Sequence, residues 1–150
     1  MPMPATELAW DYPDVFCIPL VVTAAQIDSY GHVNNAVYLQ WLTDCAWAHS
    51  AAVGLPEEVC VAMGRGMAVR TVHIDLLAAA YEGDELFVGD WLSSNDRRLR
   101  ATRIFQILNA GTGQCLLRGH VDYVCLNLTN GRPSRMPAEF VERYAVTLRE

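Results

Sequence analysis

The sequence predicts an α+β domain built from one long helix and an antiparallel sheet. A single apolar segment with helical spacing runs from about Ala36 to Val53, in the first third of the chain. Strand-like segments separated by short turns follow it, from about residue 67 to residue 128. Consecutive strands joined by short turns pair as antiparallel neighbours, and one helix can cover one face of such a sheet. We therefore expect a curved antiparallel sheet with the helix against it.

Length and composition fit a single domain over residues 1–150, with its core in about residues 15–137. The hydrophobic content of 52% is sufficient for a core and for an apolar interface with another subunit. The net charge of −6 argues against a partner that is a nucleic acid or an anionic membrane. All eleven basic residues are Arg, so chemistry that needs a lysine Schiff base is excluded.

The cysteines and the absence of targeting signals predict a cytoplasmic location. The five Cys are odd in number and show no C-x-x-C spacing, which is typical of reduced core residues. Residues 1–14 have neither a basic region nor an apolar region, so we expect no signal peptide. No stretch approaches the ~20 apolar residues of a membrane span.

The first strand is predicted over residues 15–23, where Pro19 indicates an edge position or a bulge. In the long helix that follows, the apolar sector is too wide for a surface helix. Asn34 or Asn35 can cap its start, and Gly54 with the Pro two residues later ends it. A short helical turn is expected at residues 57–63.

Four strands and a tail helix are predicted in the rest of the chain. The strands cover residues 67–76, 85–93, 100–109 and 114–128, and the tail helix covers about 138–148. Gly-, Asn- and Asp-rich segments between them read as turns, so we expect the strands to pair in chain order as a meander.

The densest group of chemically capable side chains lies just before the long helix, at residues 28–35 (DSYGHVNN). A helix N-terminus presents unpaired N–H groups and a partial positive charge, which can stabilise a tetrahedral oxyanion. Asp28 lies one short loop upstream and could deliver a carboxylate to the same place. Together they could attack an activated acyl group. The alternative is that Asp28 is only a turn or capping residue.

This segment resembles a known family. The pattern Asp28-x-x-Gly-His-Val-Asn-Asn-x-x-Tyr38, followed late in the chain by Gly-Arg-Pro and Pro137, resembles hotdog-fold acyl-CoA thioesterases of the 4-hydroxybenzoyl-CoA thioesterase type, with a further likeness to plant acyl-ACP thioesterases. The resemblance implies a hotdog fold, in which a curved antiparallel sheet wraps around one long central helix. It also implies hydrolysis of an acyl-CoA or acyl-ACP thioester with no metal or other cofactor, in a homodimer or homotetramer whose active site lies at the subunit boundary.

The resemblance also assigns roles to individual residues. Asp28 would be the catalytic carboxylate, either as nucleophile or as general base, and the backbone N–H at Asn35 or a neighbour would polarise the carbonyl. His32 belongs to the catalytic set of the acyl-ACP branch. That branch has Asn two residues after the Asp, where this chain has Tyr30. Substrate contacts are implied for Tyr30, Gly31, Val33, Asn34 and Tyr38.

Two further groups of side chains have a functional and a structural interpretation. The first group contains four cations in seven residues, Arg97, Arg98, Arg100 and Arg103. Some of them could bind the phosphates of coenzyme A, because the planar guanidinium suits phosphate oxygens. The structural alternative is a solvated hairpin. His73, Asp75, His120 and Asp122 lie at alternate strand positions and could cluster as a metal site, although cross-strand hydrogen-bonded pairs are the default.

Two other functions remain open at this point. One is a hotdog hydratase or dehydratase acting on acyl-CoA or acyl-ACP, although the motifs typical of those enzymes are absent from the sequence. The other is an acyl-CoA-binding protein without catalytic activity. Release of free thiol from an acyl thioester separates the thioesterase from both.

Overall fold

The computed structural model describes residues 2–148. Its helices and strands are β1 Phe16–Val21, α1 Asn35–Ala52, α2 Glu57–Met63, β2 Arg65–Leu76, β3 Glu85–Asn95, β4 Arg100–Asn109, β5 Cys115–Asn127 and α3 Ala138–Arg143. Each predicted element is present, and most boundaries agree within two residues, which is the usual ambiguity of element ends. Among the described residues, no helix is both long enough and apolar enough to cross a membrane.

The five strands form one antiparallel sheet in the order β1-β3-β4-β5-β2. Pro19 lies on the edge strand β1, as predicted for a residue that cannot donate a ladder hydrogen bond. The meander prediction is correct for β3, β4 and β5 but wrong for β2, which pairs with β5 at the opposite edge from β1.

The misplaced strand has a physical reason in the segment that joins β2 to β3. Residues 77–84 pass beneath the start of α1 instead of forming a hairpin. The Ala80 N–H donates to the Tyr38 hydroxyl at 3.0 Å, and the Val33 N–H donates to the Ala80 carbonyl at 3.0 Å. These long-range contacts direct the chain from one edge of the sheet to β3.

Helix α1 lies on one face of the sheet, where its backbone comes closest to β3 and β1. Its apolar residues Trp41, Leu42 and Cys45 are buried against Phe105 and Ile107 of β4. Burying a side chain of this size contributes about 1.5–3 kcal/mol relative to leaving it exposed, so the interface between α1 and the sheet is a main source of stability.

The position of α1 leaves the helix-facing side of β2 partly uncovered. A bulge between Val69 and Thr71 keeps the apolar residues on one face, so that Val69, Val72 and Leu76 all point to the side that carries α1. These three side chains are nevertheless 53%, 40% and 45% exposed. The chain therefore presents an apolar strip along the free edge of its sheet.

The tail helix is shorter than predicted, since α3 ends at Arg143 and not near Leu148. Tyr144 leaves helical geometry, and the following residues run alongside β3. There the Thr147 N–H donates to the Leu92 carbonyl at 2.9 Å, and the Leu92 N–H donates to the Thr147 hydroxyl at 2.9 Å. Pairing with the strand replaces the last turn of the helix.

The irregular residues before β1 lie across the opposite face of the sheet. Trp10 makes an edge-to-face contact with Trp91, and the Trp91 indole N–H donates to the Pro13 carbonyl at 2.9 Å. Asp11 forms an exposed two-point ion pair with Arg118, at 2.6 and 2.9 Å. This segment covers β3 and β4 on the side away from α1.

Candidate active site

The loop before α1 is a tight hairpin whose ends are held by backbone contacts. Ile27 and Val33 form an antiparallel bridge, and the Asp28 N–H donates to the His32 carbonyl at 2.9 Å. Gly31 has a φ of +86°, a conformation that other residues adopt only with strain. The hairpin therefore places Asp28 and His32 next to each other, one turn before the helix.

Asp28 has one carboxylate oxygen held and one free. Its Oδ1 accepts a hydrogen bond from the Tyr30 N–H at 2.9 Å. Within residues 2–148, no group donates to Oδ2, and the side chain is 25% exposed. The contact with Tyr30 is the one that a turn residue makes, whereas the N-cap of α1 is Asn34 and not Asp28. The free oxygen is oriented by its partner and accessible to a ligand.

The first turn of α1 also has a free hydrogen-bond donor. Asn34 is the N-cap, since its Oδ1 accepts from the Ala36 N–H at 3.0 Å and its carbonyl accepts from the Val37 N–H at 3.0 Å. The Asn35 N–H has no acceptor in the part of the chain that the structure describes. An exposed backbone donor thus remains at the positive end of an 18-residue helix.

His32 is near Asp28 without being bonded to it. Its Nδ1 is 3.9 Å from Asp28 Oδ1, which is too long for a hydrogen bond. The imidazole ring lies between Tyr30 and Tyr81, at centroid distances of 6.1 and 6.4 Å, and is 36% exposed. In this arrangement His32 packs beside the two tyrosine rings and makes no hydrogen bond to Asp28.

The residues implied as substrate contacts fall into two groups. Tyr30 is 84% exposed, and Gly31 and Asn34 are also at the surface. Val33 and Tyr38 are instead core residues, with 1% and 3% exposure. Both bind Ala80, Val33 through its backbone N–H and Tyr38 through its hydroxyl, so their burial in this chain favours a core role, and substrate contact by them stays a prediction.

The Arg cluster is divided by the fold. Arg97, Arg98 and Arg100 lie at the exposed β3–β4 hairpin, whose shape is set by Asp96 accepting hydrogen bonds from the backbone N–H groups of residues 98–100. Burial acts to raise the pKa of Asp96, but these backbone donors and the Arg98 charge lower it below its usual value. Arg103, in contrast, is buried beneath α1.

The Arg hairpin and the Asp28 loop are at opposite ends of α1. The hairpin packs beside the C-terminal end of the helix, where the Asn95 amide donates to the Tyr144 carbonyl at 2.9 Å and Tyr144 bonds Ser50 at 2.8 Å. The helix length separates the two sites by about 27 Å. A single chain does not bring the three exposed Arg residues to Asp28.

The possible metal cluster forms cross-strand pairs instead. The rings of His73 and His120 stack at 5.4 Å, and Asp122 accepts hydrogen bonds from the hydroxyls of Thr71 and Thr102. In the described part of the chain, no group of three or more His, Cys, Asp or Glu residues is placed to hold a metal ion.

A buried polar cluster that the sequence analysis missed lies under the second half of α1. Asp90 is fully buried. Its Oδ1 lies 2.5 Å from His49 Nδ1 and accepts a hydrogen bond from Arg103 Nη1 at 3.0 Å. Because a carboxylate only accepts, His49 carries its proton on Nδ1 and donates. Cys45 also reaches Asp90, and burial followed by the Asp90 charge raises the pKa of this thiol, so it is not a nucleophile.

The missed cluster had a signal in the sequence. Asp90 and Arg103 stand at alternate positions among apolar residues of two adjacent strands, and His49 follows Cys45 by four residues on the buried face of the helix. Charged residues on the apolar faces of neighbouring elements are paired in folded proteins.

An apolar cavity of about 110 Å³ opens beside this cluster, between α1 and the uncovered part of β2. Thr43 and Trp47 of α1 line one side, Val69 lines another, and Arg103 and Tyr123 lie in its wall. Asp28 is not among its lining residues. The cavity thus begins well along the helix from the catalytic candidate.

Solved structures from several sources share this architecture. The 1,4-dihydroxy-2-naphthoyl-CoA thioesterase from Synechocystis is 21% identical, with coverage of 87% of this chain and 95% of the other and a TM-score of 0.78. A hypothetical protein from Staphylococcus aureus solved in complex with CoA is 18% identical, with coverage of 90% and 84% and a TM-score of 0.80. The dynemicin thioesterase is 26% identical, with coverage of 90% and 100% and a TM-score of 0.77.

The family model described as the Thioesterase-like superfamily matches residues 22–144, which include the Asp28 loop, α1 and the whole of β2 to β5. The expected resemblance and the expected hotdog architecture are both confirmed by this match and by the solved structures. The chain belongs to the Thioesterase-like superfamily and has the hotdog fold.

Proposed function

We propose that this protein is an acyl-CoA thioesterase that hydrolyses an acyl thioester to a free acid and coenzyme A. The observation that carries the proposal is that one short loop has a free carboxylate oxygen, Asp28 Oδ2, at its start and a free backbone donor, the Asn35 N–H, at its end. The family supports thioester hydrolysis, and a structural relative solved with CoA supports CoA as the carrier. An acyl-carrier protein stays the alternative carrier.

The proposed chemistry uses both groups. The thioester carbonyl accepts a hydrogen bond from the Asn35 N–H, and Asp28 Oδ2 attacks its carbon. The tetrahedral oxyanion collapses, the C–S bond breaks, and the CoA thiolate leaves with a mixed anhydride on Asp28. Water then hydrolyses the anhydride and restores the carboxylate. In the general-base version, Asp28 takes a proton from the water that attacks. Single turnover in heavy-oxygen water identifies the first version when water attacks the Asp28 carbonyl carbon of the anhydride, because the bridging Asp28 oxygen then leaves in the acid and a heavy oxygen remains on Asp28.

The active assembly is proposed to contain at least two copies of the chain. The exposed apolar residues Val69, Val72 and Leu76 on β2, with Leu39 and Trp47 on α1, form a strip beside an unpaired strand edge. A second copy that pairs its β2 antiparallel to this edge covers the strip. Its α1 then runs antiparallel to the first, so its Arg hairpin lies on the side of the first copy's Asp28. This arrangement would join the phosphate-binding and catalytic groups that one chain keeps apart.

The location and cofactor proposals follow from the same chemistry. All five Cys are free thiols, which fits a reducing compartment such as the cytosol. The carboxylate and the helix end supply the reaction's charge stabilisation, so we propose that no cofactor beyond the CoA of the substrate takes part.

The test is Asp28→Asn, which keeps the side-chain size and the hydrogen bond from Tyr30. We expect kcat to fall about 10³-fold or more, with the fold and assembly unchanged by circular dichroism and sedimentation. Asp75→Asn, at an exposed carboxylate on the opposite face of the sheet, is the matched control and should keep full activity. Turnover is followed as free thiol with a thiol-reactive dye and a panel of acyl-CoAs.

Three results would refute the proposal. Undiminished thiol release by Asp28→Asn would show that the Asp28 carboxylate is neither the nucleophile nor the general base. Saturable acyl-CoA binding without thiol release from any member of the panel would instead indicate a binding protein. Conversion of an enoyl or hydroxyacyl chain without thiol release would indicate a hydratase or dehydratase.

A further inference from the structure

The chain covers part of its own sheet with residues 2–15, which we call the strap. The strap lies outside residues 22–144, the part that the family model matches, so the shared family pattern does not include it. It crosses β3 and β4 on the side of the sheet that faces away from α1, and we call this side the outer face. The strap therefore changes a surface that the rest of the fold would leave open.

Several contacts hold the strap on the outer face. Trp10 meets the Trp91 ring edge-to-face at a centroid distance of 6.1 Å, and the Trp91 indole N–H donates to the Pro13 carbonyl at 2.9 Å. The Asp11 N–H donates to the side-chain oxygen of Gln106 at 3.0 Å, beside the ion pair that the Asp11 carboxylate makes at the surface. Under this cover Trp91 is fully buried and Gln106 is 1% exposed.

The sheet is shaped to receive the strap. Gly89 lies between Phe87 and Trp91 on the outer face of β3, and it has no side chain. A Cβ at this position would lie 2.6 Å from Trp10 Cζ3 and 2.6 Å from Val15 Cγ2. Carbon atoms pack best at about 3.5–4.0 Å, so a larger residue would lift the strap from the sheet. A glycine inside a strand often marks such a close approach of another segment.

The surface under the strap is apolar. Alternate positions of a strand share a face, so Phe87 and Trp91 of β3 lie beside Ile104 and Leu108 of β4 on the outer face. Leu108 is 1% exposed, although it is not part of the core cluster beneath α1. Without the strap these four residues would form an exposed apolar patch, which is the kind of surface at which protein chains associate.

The rest of the outer face is polar. On β2 it carries His73 and Asp75, which are 61% and 62% exposed, and on β5 it carries Arg118, His120 and Asp122. Water solvates these side chains well, so this half of the face offers little apolar area for burial. The patch under the strap is therefore the part of the outer face on which another chain would gain most from packing.

The size of the outer face determines whether a second copy can bind there. Strands β2 to β5 are 10–13 residues long. At about 3.4 Å per residue and 4.8 Å between strands, their outer face measures roughly 750 Å². A stable interface buries about 800 Å² per partner, so the whole face is just sufficient for one. With the strap on β3 and β4, roughly 400 Å² of polar surface remains, which is no more than a crystal-packing contact buries.

We propose that the strap takes the place of a second copy on the outer face, so that assembly stops at the pair formed through the β2 edge. The chain that it keeps away is another copy with its own outer face, because a twofold axis sets the same apolar patch against itself and closes the assembly. The native number of two chains rests on the proposed β2 pair. The role of the strap does not depend on thioester hydrolysis.

The experiment opens the strap in the full chain and measures the mass of the assembly. Gly89→Val places a side chain where Trp10 lies, and the double variant Trp10→Ser with Asp11→Arg removes one anchor and reverses the charge of another. Asp75→Arg makes the same change of charge on the uncovered half of the outer face and is the matched control. Hydrogen exchange of the Trp91 indole N–H reports opening, and sedimentation reports mass. A Gly89→Val chain that fails to fold leaves the double variant to decide.

The expected results differ between the strap variants and the control. The native protein and Asp75→Arg should show slow exchange and the mass of two chains. Both strap variants should exchange the Trp91 N–H at least about tenfold faster and double the native mass. The charge swap Asp11→Arg with Arg118→Asp keeps Trp10 and restores the ion pair, so it should keep slow exchange and the native mass.

Four results would overturn the inference. They are four chains in the native protein, open variants that keep the native mass, open-ended aggregation of the variants in place of a doubled mass, and slow exchange in both strap variants. A native mass of one chain that doubles in the variants would refute the β2 pair and leave the role of the strap standing.

Thiol release from acyl-CoA separates this inference from the proposed function. It should stay within about twofold of the native rate in every variant, because the strap and α1 lie on opposite faces of the sheet. Absence of thiol release from the native protein would refute the thioesterase proposal and leave the mass measurements to decide the role of the strap.

Discussion

Removing the charge of Asp90 should destabilise the fold far more than the same change at an exposed ion pair. Asp90 is fully buried and is the counter-charge for Arg103, which is 6% exposed. Asp90→Asn keeps an oxygen that can accept from His49 but leaves the Arg103 charge uncompensated. Breaking a buried pair in this way costs about 3–5 kcal/mol. We expect the lower end of that range, about 3 kcal/mol, because the amide retains one acceptor.

The chain contains a matched control. Asp11 is paired with Arg118 in a two-point geometry, but the two side chains are 33% and 50% exposed. The hydrogen bonds and charge of Arg118 lower the pKa of Asp11, yet solvent screens this interaction. Asp11→Asn should therefore cost no more than about 1 kcal/mol. A double variant, Asp90→Leu with Arg103→Met, removes both buried charges and should recover most of the lost stability.

The measurement is urea unfolding at one protein concentration, because assembly would make the apparent stability depend on concentration. A loss of about 3 kcal/mol corresponds to a fall in Tm of roughly 6–12 °C for a chain of this length. The m-value must stay constant for the comparison to hold. Equal losses in Asp90→Asn and Asp11→Asn would refute the reasoning, and would mean that solvent in the cavity already screens the Arg103 charge.

Two further predictions concern hydrogen bonds on either side of the sheet. Tyr38→Phe removes the acceptor of the Ala80 N–H and should cost about 1–3 kcal/mol, with faster amide exchange at Ala80; slow exchange there would contradict the role given to Tyr38. Hydrogen bonds from Thr71 and then Thr102 lower the pKa of Asp122, so the stability it contributes is present above about pH 4 and is lost as the pH falls through its folded pKa. Asp122→Asn should therefore flatten the acid limb of the stability curve below pH 4; an unchanged limb would contradict this.

The parts of the fold that were predictable from the sequence are those set by local chemistry. The segment of α1 is recognisable because its apolar period is long and Asn34 can cap it, as it does. The hairpins at residues 96–99 and 110–114 contain turn residues, and both connect neighbouring strands. In each case the information lies within a few residues of the feature, which is why these predictions were correct.

The order of the strands depended on contacts that are distant in the sequence. The connection at residues 77–84 begins with four apolar residues, Leu-Ala-Ala-Ala, and only its last part has turn chemistry. A connection that is itself apolar is drawn into the core. Here it packs beneath α1, where Tyr38 and Val33 bind Ala80. The sequence offers no local sign that residues 38 and 80 meet.

The candidate site also has parts that one short segment determines and parts that need contacts between distant segments. The Asp28 hairpin and the free Asn35 N–H follow from a short motif and a helix start, so the motif was informative about both. The cavity needs Arg103 from β4, Tyr123 from β5 and Trp47 from α1 to converge, and no single segment contains more than one of them. A motif within one loop can therefore be recognised in the sequence, whereas a cavity assembled from three elements leaves no local signal. This is why the Asp28 loop was apparent from the sequence and the cavity beside α1 was not.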